Sequence, residues 1–242
     1  MFRLSRCFAS AMIAVAVLRV CDAQARGSAA IALIQDDAGI VIGEPCFAIE
    51  KTITSTPLQD GTTTTRRTEE RMWRDSQGRF RKQMTAVREG AEPIFHIATI
   101  IDPVSNTVTT LNLDTKTATV FHLPEHGAGA LHPYVDLEDK PLMAMPGVDV
   151  KVEKLSAKQI AGVSAVGRRV TRTRPPGTVG NDKTIVSVSD RWVSPELKLL
   201  LASSMDDPRQ KQTREVTQLD RTGPDPEIFK VPADFTVVDQ GK

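Results

Sequence analysis

The sequence has few cysteines, few aromatic side chains and almost no net charge. Aromatic residues make up 5% of its 242 positions, and 31 basic residues balance 30 acidic ones. A near-neutral chain argues against nucleic acid as a partner, because proteins that bind polyanions carry a clear positive excess. Of the three cysteines only Cys46 lies beyond residue 25, so a chain that loses its first 25 residues cannot form an internal disulfide. We expect Cys46 to be a small, semi-buried apolar residue rather than a redox thiol.

The sequence also lacks an apolar run long enough to cross a membrane. Residues 7–20 are mostly apolar, but Arg19 interrupts them, and a spanning helix needs about 20 apolar residues. Two arginines precede this run, and residues 23–25 have the small-x-small pattern that signal peptidase requires. We therefore predict a signal peptide over residues 1–25 and a periplasmic or secreted protein that does not span the membrane.

No catalytic, metal-binding or cofactor-binding motif stands out. His122, His126 and His132 form the one cluster that could bind a metal, but Pro124 and Gly127 argue against the helix that would place His122 and His126 on one face. No serine lies in a nucleophile elbow, and no strand, glycine-rich loop and helix follow one another as in nucleotide sites. The adjacent Glu69 and Glu70 should point to opposite faces of a strand, so we expect solubilising charges rather than an acid–base pair. The sequence thus predicts a protein that is not an enzyme and has no metal site and no cofactor.

The chain contains many short runs rich in threonine, valine and isoleucine, separated by turn signals, a pattern typical of an antiparallel sheet. The predicted strands are residues 47–56, 62–74, 95–101, 107–113, 117–123, 148–155, 163–174, 184–193, 198–205 and 213–221. Residues 26–45 are interpreted as a poorly structured leader or a first strand, and residues 46–242 as a single domain. The segment 124–149, rich in proline and glycine, predicts a covering or functional loop. Helices should be few and short, at about residues 134–144 and 225–229.

The stretch WRDSQGRFRKQ, which begins at Trp73, predicts a hairpin. Its DSQG segment fits a type I turn that starts at Asp75 and closes with Gly78 in the left-handed region. This loop length sets Trp73 opposite Arg81 on one face of the sheet. We expect most basic residues of the hairpin to lie on a solvated face, where Arg81 over the Trp73 ring contributes about 0.5–1 kcal/mol.

Nine or more consecutive strands predict a mainly β fold, in which a single large curved antiparallel sheet forms an incomplete β-barrel and a few short helices or loops cover its concave face. Such a cover is required because an exposed apolar sheet face aggregates. Apolar side chains on one side could line a concavity that accepts an acyl chain. The candidate residues for this hydrophobic ligand are Met72, Phe80, Met84, Phe95 and Trp192. A filled core is the alternative, and composition does not separate the two.

Several motifs resemble those of uncharacterised exported bacterial proteins. They are WRDSQGRFR from Trp73, RWVSPELK from Arg191, DDPR from Asp206 and PDPEIFKVPADFTV from Pro224. Their pattern is in turn similar to the outer-membrane lipoprotein carrier superfamily, the LolA, LolB and RseB type. The resemblance covers most of residues 45–238 and implies an incomplete antiparallel β-barrel whose covered concave face can hold lipid acyl chains. It also implies a closing strand placed by Phe229–Pro232, and no catalytic residue.

Together these observations predict a non-enzymatic exported protein that binds a hydrophobic ligand, either an acyl chain or a lipoprotein-like molecule, inside a half-barrel. Its partner would be a lipid or an acylated protein. A second hypothesis is an envelope sensory or scaffolding module with a packed interior. Such a module would contact another protein through its exposed sheet edge or through residues 124–149.

Overall fold

The structure of the protein, a computed structural model, describes residues 39–88, 90–126, 130–131 and 146–241. In these residues the chain forms twelve strands and one short 3-10 helix, Pro226–Phe229. The strands are β1 (Cys46–Pro57), β2 (Thr63–Arg74), β3 (Phe80–Ala86), β4 (Ile97–Asp102), β5 (Thr107–Asn112), β6 (Thr117–His122), β7 (Asp149–Ile160), β8 (Val163–Arg174), β9 (Ile185–Ser194), β10 (Leu199–Asp207), β11 (Gln210–Asp220) and β12 (Thr236–Asp239). They agree closely with the predicted strands, and the 3-10 helix confirms the helix predicted near residues 225–229.

Three of the predictions fall on parts of the chain that the structure does not describe. The signal peptide over residues 1–25 and the helix over residues 134–144 lie outside the described residues, as does the leader up to residue 38. Of the rest of the leader, Ile40 forms an isolated bridge and Val41 is buried. Among the described residues, no helix has the length and apolar character needed to cross a lipid bilayer.

All twelve strands belong to one sheet, in the order β12-β6-β5-β4-β3-β2-β1-β11-β10-β9-β8-β7. Neighbouring strands are antiparallel except β12 and β6, which are parallel. The sheet joins two meanders, β1–β6 and β7–β11, because β1 pairs with β11 from Phe47–Asp220 to Ser55–Lys211. Among the described strands, β7 and β12 are the two edges and do not pair with each other. The predicted single, mainly antiparallel sheet that does not close into a barrel is confirmed.

The β2–β3 hairpin has the predicted register, with Trp73 opposite Arg81. The carboxylate of Asp75 accepts two backbone hydrogen bonds within the turn, each 2.9 Å long. Gly78 has a φ of 82°, in the left-handed region that favours glycine. The Arg81 guanidinium lies 5.9 Å from the centre of the Trp73 ring. Local turn chemistry therefore fixes this hairpin as the sequence predicts.

The sheet bends toward one face, called here the inner face, which carries the side chain of Arg74. Arg74 belongs to β2, yet its guanidinium donates a 2.7 Å hydrogen bond to the carbonyl oxygen of Leu197, between β9 and β10. In the sheet order β10 is three strands from β2, which is roughly 14 Å in a flat sheet and beyond the reach of one side chain. The inner face is therefore concave.

An apolar cluster fills one end of the inner face, called here the packed end. Its buried members include Cys46, Ala48, Met72, Leu201 and Val216, and half-buried Phe80 and Trp192 pack against them. The cluster draws residues from β1, β2, β7, β8, β10 and β11. Both meanders therefore share one core.

A second, smaller cluster lies on the inner face of β4 and β5. Ile101 and Val108 are buried there, and Ile40, Leu123 and Leu131 pack against them. Residues of the leader and of the 124–149 segment thus cover part of the concave face, as the sequence predicts for a covering loop.

The opposite, outer face of β2–β6 is covered by the C-terminal segment, residues 221–235. Phe229 from the 3-10 helix is buried there in a cluster with Ala98, Ile100, Leu111 and Ala118. Arg81 donates a 2.8 Å hydrogen bond to the carbonyl oxygen of Ile228, and burial lowers the pKa of its guanidinium. The prediction of a solvated basic face is therefore wrong for Arg81, because a segment distant in sequence lies over it.

Candidate ligand-binding groove

Beyond the packed end, the inner face opens into a groove with a cavity volume of about 420 Å³. Its lining consists of alternate residues 50–54 of β1, 66–70 of β2, 82–84 of β3 and 210–214 of β11. The alternation follows from strand geometry, which turns every second side chain to the same face. Among the described residues, Met84 is the one apolar member of this lining. The open part of the half-barrel is thus polar, unlike its packed end.

Two ion pairs form a layer between the packed end and the groove. Glu50 accepts a 2.5 Å hydrogen bond from Nε of Arg214, and Glu70 lies 2.7 Å from Nζ of Lys82. Both carboxylates are buried, with 3% and 6% of the residue surface exposed. The register sets Glu50 directly opposite Glu70, where like charges repel. The cations on the flanking strands β11 and β3 offset that repulsion.

One oxygen of this layer has no hydrogen-bond partner among the described residues. Glu70 Oε1 is buried and unpaired within the described part of the chain, whereas Oε2 contacts Lys82. A buried acceptor left unpaired costs about 1–3 kcal/mol. Arg66 lies four residues nearer the open end of the same strand, is exposed, and makes no ion pair with any described residue. Glu70 thus lines the floor of the groove with a buried, unpartnered acceptor, and Arg66 lines it with a guanidinium that no described residue pairs.

Exposed apolar side chains flank the groove on both sides. Met84 is 51% exposed and Ile97 is 48% exposed, and the β3–β4 register makes them neighbours on the inner face. Met205 is 37% exposed and lies across the groove, because it pairs with the lining residue Gln212. Apolar side chains exposed together mark interaction sites. The groove thus combines a polar floor with an apolar rim.

The structure places the predicted ligand residues in different environments. Met72 is buried at the packed end, and Phe80 packs against the same cluster. Met84 lines the groove. Phe95 lies beside Arg71, whose guanidinium is 4.8 Å from the centre of the Phe95 ring and whose strand position points to the outer face. Phe95 is therefore not brought together with the other candidates.

Trp192, the fifth predicted residue, packs against the apolar cluster and does not line the groove. A Cβ atom added to Gly167 would lie 2.5 Å from the indole Nε1, so the ring rests directly on the β8 backbone. The Lys158 ammonium lies 3.8 Å from the ring centre. The Trp192 ring thus packs between the β8 backbone and the Lys158 side chain.

Sequence reasoning missed the polar lining of the groove. Glu69 and Glu70 do point to opposite faces, but both are buried, each against a cation, and neither is a solubilising surface charge. The alternation of side chains along β1 and β2 could have revealed this lining. Glu50 follows Ala48 by two residues, and Glu70 precedes Met72 by two residues. Each acidic side chain therefore points to the same face as its apolar neighbour.

The described histidines do not line the groove. His122 Nε2 is 3.1 Å from the carboxylate of Asp239, so this pair links β6 to β12. His126 is exposed, and His132 lies outside the described residues. Among the residues with described positions, no three histidine, cysteine, aspartate or glutamate side chains are grouped as a metal ion would require.

Comparison with known proteins finds matches among solved structures alone. No protein-family model and no curated protein matches the chain. A LolA superfamily protein from Nitrosomonas europaea matches at 9% identity over 79% of this chain and 92% of that chain, with a TM-score of 0.32. Lipoprotein LppX from Mycobacterium tuberculosis matches at 10% identity over 75% and 90%, with a TM-score of 0.30. LprF from Mycobacterium bovis matches at 13% identity over 76% and 90%, with a TM-score of 0.31.

Of these three structures, the one from Nitrosomonas europaea is named for the superfamily that the sequence motifs resemble. At such low identities and TM-scores they carry no argument about what this chain binds. Its function has to be inferred from its own residues.

Proposed function

We propose that this protein is a non-enzymatic exported protein that holds a hydrophobic ligand, an acyl chain or a lipoprotein-like molecule, in the groove of its half-barrel. The observation that carries the proposal is the open inner face, with a groove of about 420 Å³ between Met84 and Ile97 on one side and Met205 on the other. Ligand pockets have volumes of about 300–1,000 Å³. A periplasmic or secreted location rests on the signal peptide predicted over residues 1–25.

The groove has a polar floor and an apolar rim, an arrangement that suits an amphiphilic ligand. An acyl chain would lie against Met84 and Ile97, since the flexible methionine side chain adapts to irregular ligands. The polar floor would contact the head of the same molecule. The packed end closes the half-barrel behind the ion pairs, so the ligand would enter from the open end of the groove.

Uptake of a fluorescent fatty acid by the mature protein tests the proposal. Met84→Asp should weaken binding by about tenfold, because it replaces apolar contact area worth about 1.5–3 kcal/mol with a charge. The matched control is Val104→Asp. Val104 is 67% exposed in the β4–β5 turn at the opposite end of the strands, and its substitution should leave uptake unchanged.

Native mass spectrometry of the protein purified from the cell envelope gives a second readout. A bound lipid or acylated peptide should accompany the folded protein and leave it after solvent extraction. A protein that emerges without lipid and takes up no fatty acid contradicts the proposal.

The alternative, protein contact through an exposed sheet edge, finds less support in the edge strand β7. This strand carries Lys151, Lys154 and Lys158, and its register with β8 shifts between Leu155 and Lys158. Lysines and bulges on an edge hinder the addition of another strand. Cross-linking in the native envelope that captures one defined protein, while the purified chain carries no lipid, would favour the alternative.

A further inference from the structure

We propose that the groove recognises the head of its ligand through two groups at once. Glu70 Oε1 accepts a hydrogen bond from a neutral hydroxyl, and Arg66 binds a singly charged phosphate. The ligand class is thus a hydroxylated anionic head of the phosphoglycerol type. This inference rests on the proposed function, because it names the polar end of the same ligand.

The acceptor on the groove floor requires a neutral donor. Glu70 is 94% buried, since 6% of its surface is exposed, and its Oε1 has no partner in the described chain. The ammonium of Lys82 lies 2.7 Å from the other oxygen of the same carboxylate. The charge of this carboxylate is thus already neutralised, so a ligand ammonium or a metal ion at Oε1 would bring an uncompensated positive charge into the buried layer. A hydroxyl satisfies the acceptor without adding charge.

The charge of Arg66 requires an anion. Glu50 pairs with Arg214 and Glu70 pairs with Lys82, so each buried carboxylate is neutralised by one cation. The positive charge of Arg66 is then the excess of the lining, and it matches one negative charge. The guanidinium fork suits phosphate oxygens in particular.

The spacing fits one head group that bridges both residues. Arg66 and Glu70 are four residues apart on β2, roughly 13 Å along the strand. The arginine stem and a phosphoglycerol-sized head together cover this span. Thr52, Thr54 and Thr68 line the groove between them and offer hydroxyl groups to further ligand oxygens.

Calorimetric titration of the mature protein with three short-chain lipids, each below its micelle concentration, tests the inference. The probes are dihexanoyl phosphatidylglycerol, dihexanoyl phosphatidylmethanol, which keeps the phosphate and lacks the hydroxyls, and dihexanoyl phosphatidylethanolamine, which carries an ammonium. Phosphatidylglycerol should bind about tenfold more tightly than either of the others, the ratio that one hydrogen bond to a charged acceptor supports.

Two variants separate the roles of the two groups. The double variant Glu70→Met with Lys82→Met removes both charges of the buried pair, so that no uncompensated charge is left behind. It should lose the preference for phosphatidylglycerol over phosphatidylmethanol. Arg66→Gln should weaken both anionic lipids by a similar factor and keep their ratio. Arg67→Gln, next along the strand on the outer face, is the matched control and should change neither affinity.

The outcomes distinguish this inference from the proposed function. If the wild-type protein binds the glycerol and methanol lipids equally, or binds the ethanolamine lipid more tightly, the inference is overturned while lipid binding stands. If none of the lipids binds while fatty acid is taken up, the inference is overturned and the proposed function stands. If neither the lipids nor fatty acid bind, the proposed function fails, and titration with soluble glycerophosphoglycerol decides the inference. Binding of that probe that disappears in the double variant supports a head-group site, and no binding overturns it.

Discussion

Arg74 links three distant parts of the chain through one side chain. Its Nε donates to the carbonyl oxygen of Glu44 and its Nη2 to that of Leu197, both at 2.7 Å. A guanidinium suits this position because its fixed fork donates in several directions at once. The leader, β2 and the turn between β9 and β10 are therefore held together at the packed end, where 5% of Arg74 is exposed.

Arg74→Met should lower the free energy of unfolding by about 2–4 kcal/mol, because it leaves both carbonyl groups without this donor in a buried place. Urea unfolding followed by tryptophan fluorescence measures the change. Arg67→Met is the control, since Arg67 is exposed on the outer face of the same strand and should cost less than about 0.5 kcal/mol. Equal unfolding midpoints for the two variants would contradict the assigned role.

Cys46 is buried, with 1% of its surface exposed, as a small apolar residue of the core. Burial raises the pKa of its thiol, and the nearby Arg74 offsets part of that effect. At pH 8 the folded protein should therefore hold less thiolate than a free cysteine. Alkylation by iodoacetamide should be slower than in urea by on the order of a hundredfold or more, because it requires local opening. Rapid alkylation of the native protein would show that the packed end is open.

Local contacts between side chains could be predicted from the sequence, and distant ones could not. The turn at Asp75 and the contact of Trp73 with Arg81 follow from residues close along the chain. The ion pair of Glu50 with Arg214 joins positions 164 residues apart. The alternation can place Glu50 on the inward face, but neither residue has a neighbour in sequence that identifies its partner, so the ion pair is unknown until the pairing of strands is known.

At the scale of elements, the C-terminal segment acts as a cover for half of the sheet. It leaves β11, crosses the outer face of β2–β6 and ends in β12, which adds to the free side of β6. Asp225 caps the 3-10 helix by accepting a hydrogen bond from the backbone N–H of Glu227 at 3.0 Å. This turn orients Phe229 into the apolar cluster.

Phe229→Ala should destabilise the protein by about 3–5 kcal/mol, because it opens a cavity over the buried faces of β4, β5 and β6. Thermal unfolding and binding of an apolar dye report the loss. Val237→Ala, in the exposed strand β12, serves as control and should cost less than about 1 kcal/mol. A mild effect of Phe229→Ala would indicate that the C-terminal segment is not a stabilising cover.

The elements themselves were largely predictable because alternation and turn residues act locally. Strand bounds and the β2–β3 register agree with the sequence prediction. The motif Phe229–Pro232 was expected to place a closing strand, and a strand does follow it, but β12 pairs in parallel with the edge of β6. A parallel pair needs a long crossover, and nothing in the four residues of β12 specifies which edge receives it.

At the scale of the molecule, the pairing of β1 with β11 makes one sheet from two meanders. Fragment β1–β6 contributes Cys46, Ala48 and Met72 to the packed end, and β7–β11 contributes Leu201 and Val216. The C-terminal segment then returns across the outer face of the first meander. Each half thus lacks a complete core by itself, and the groove lies along the seam, with walls from both halves.

Cutting the chain between the meanders tests this interdependence. A protease site inserted after His126, which is exposed between β6 and β7, should allow cleavage into two fragments that stay together. They should elute as one species in size-exclusion chromatography at micromolar concentration, because the β1–β11 ladder, the shared core and the C-terminal cover all cross the cut. In 8 M urea they should separate, and on dilution they should recover fatty-acid uptake. Fragments that part under native conditions, or one half that folds alone, would show that the seam is an interface between two independent domains.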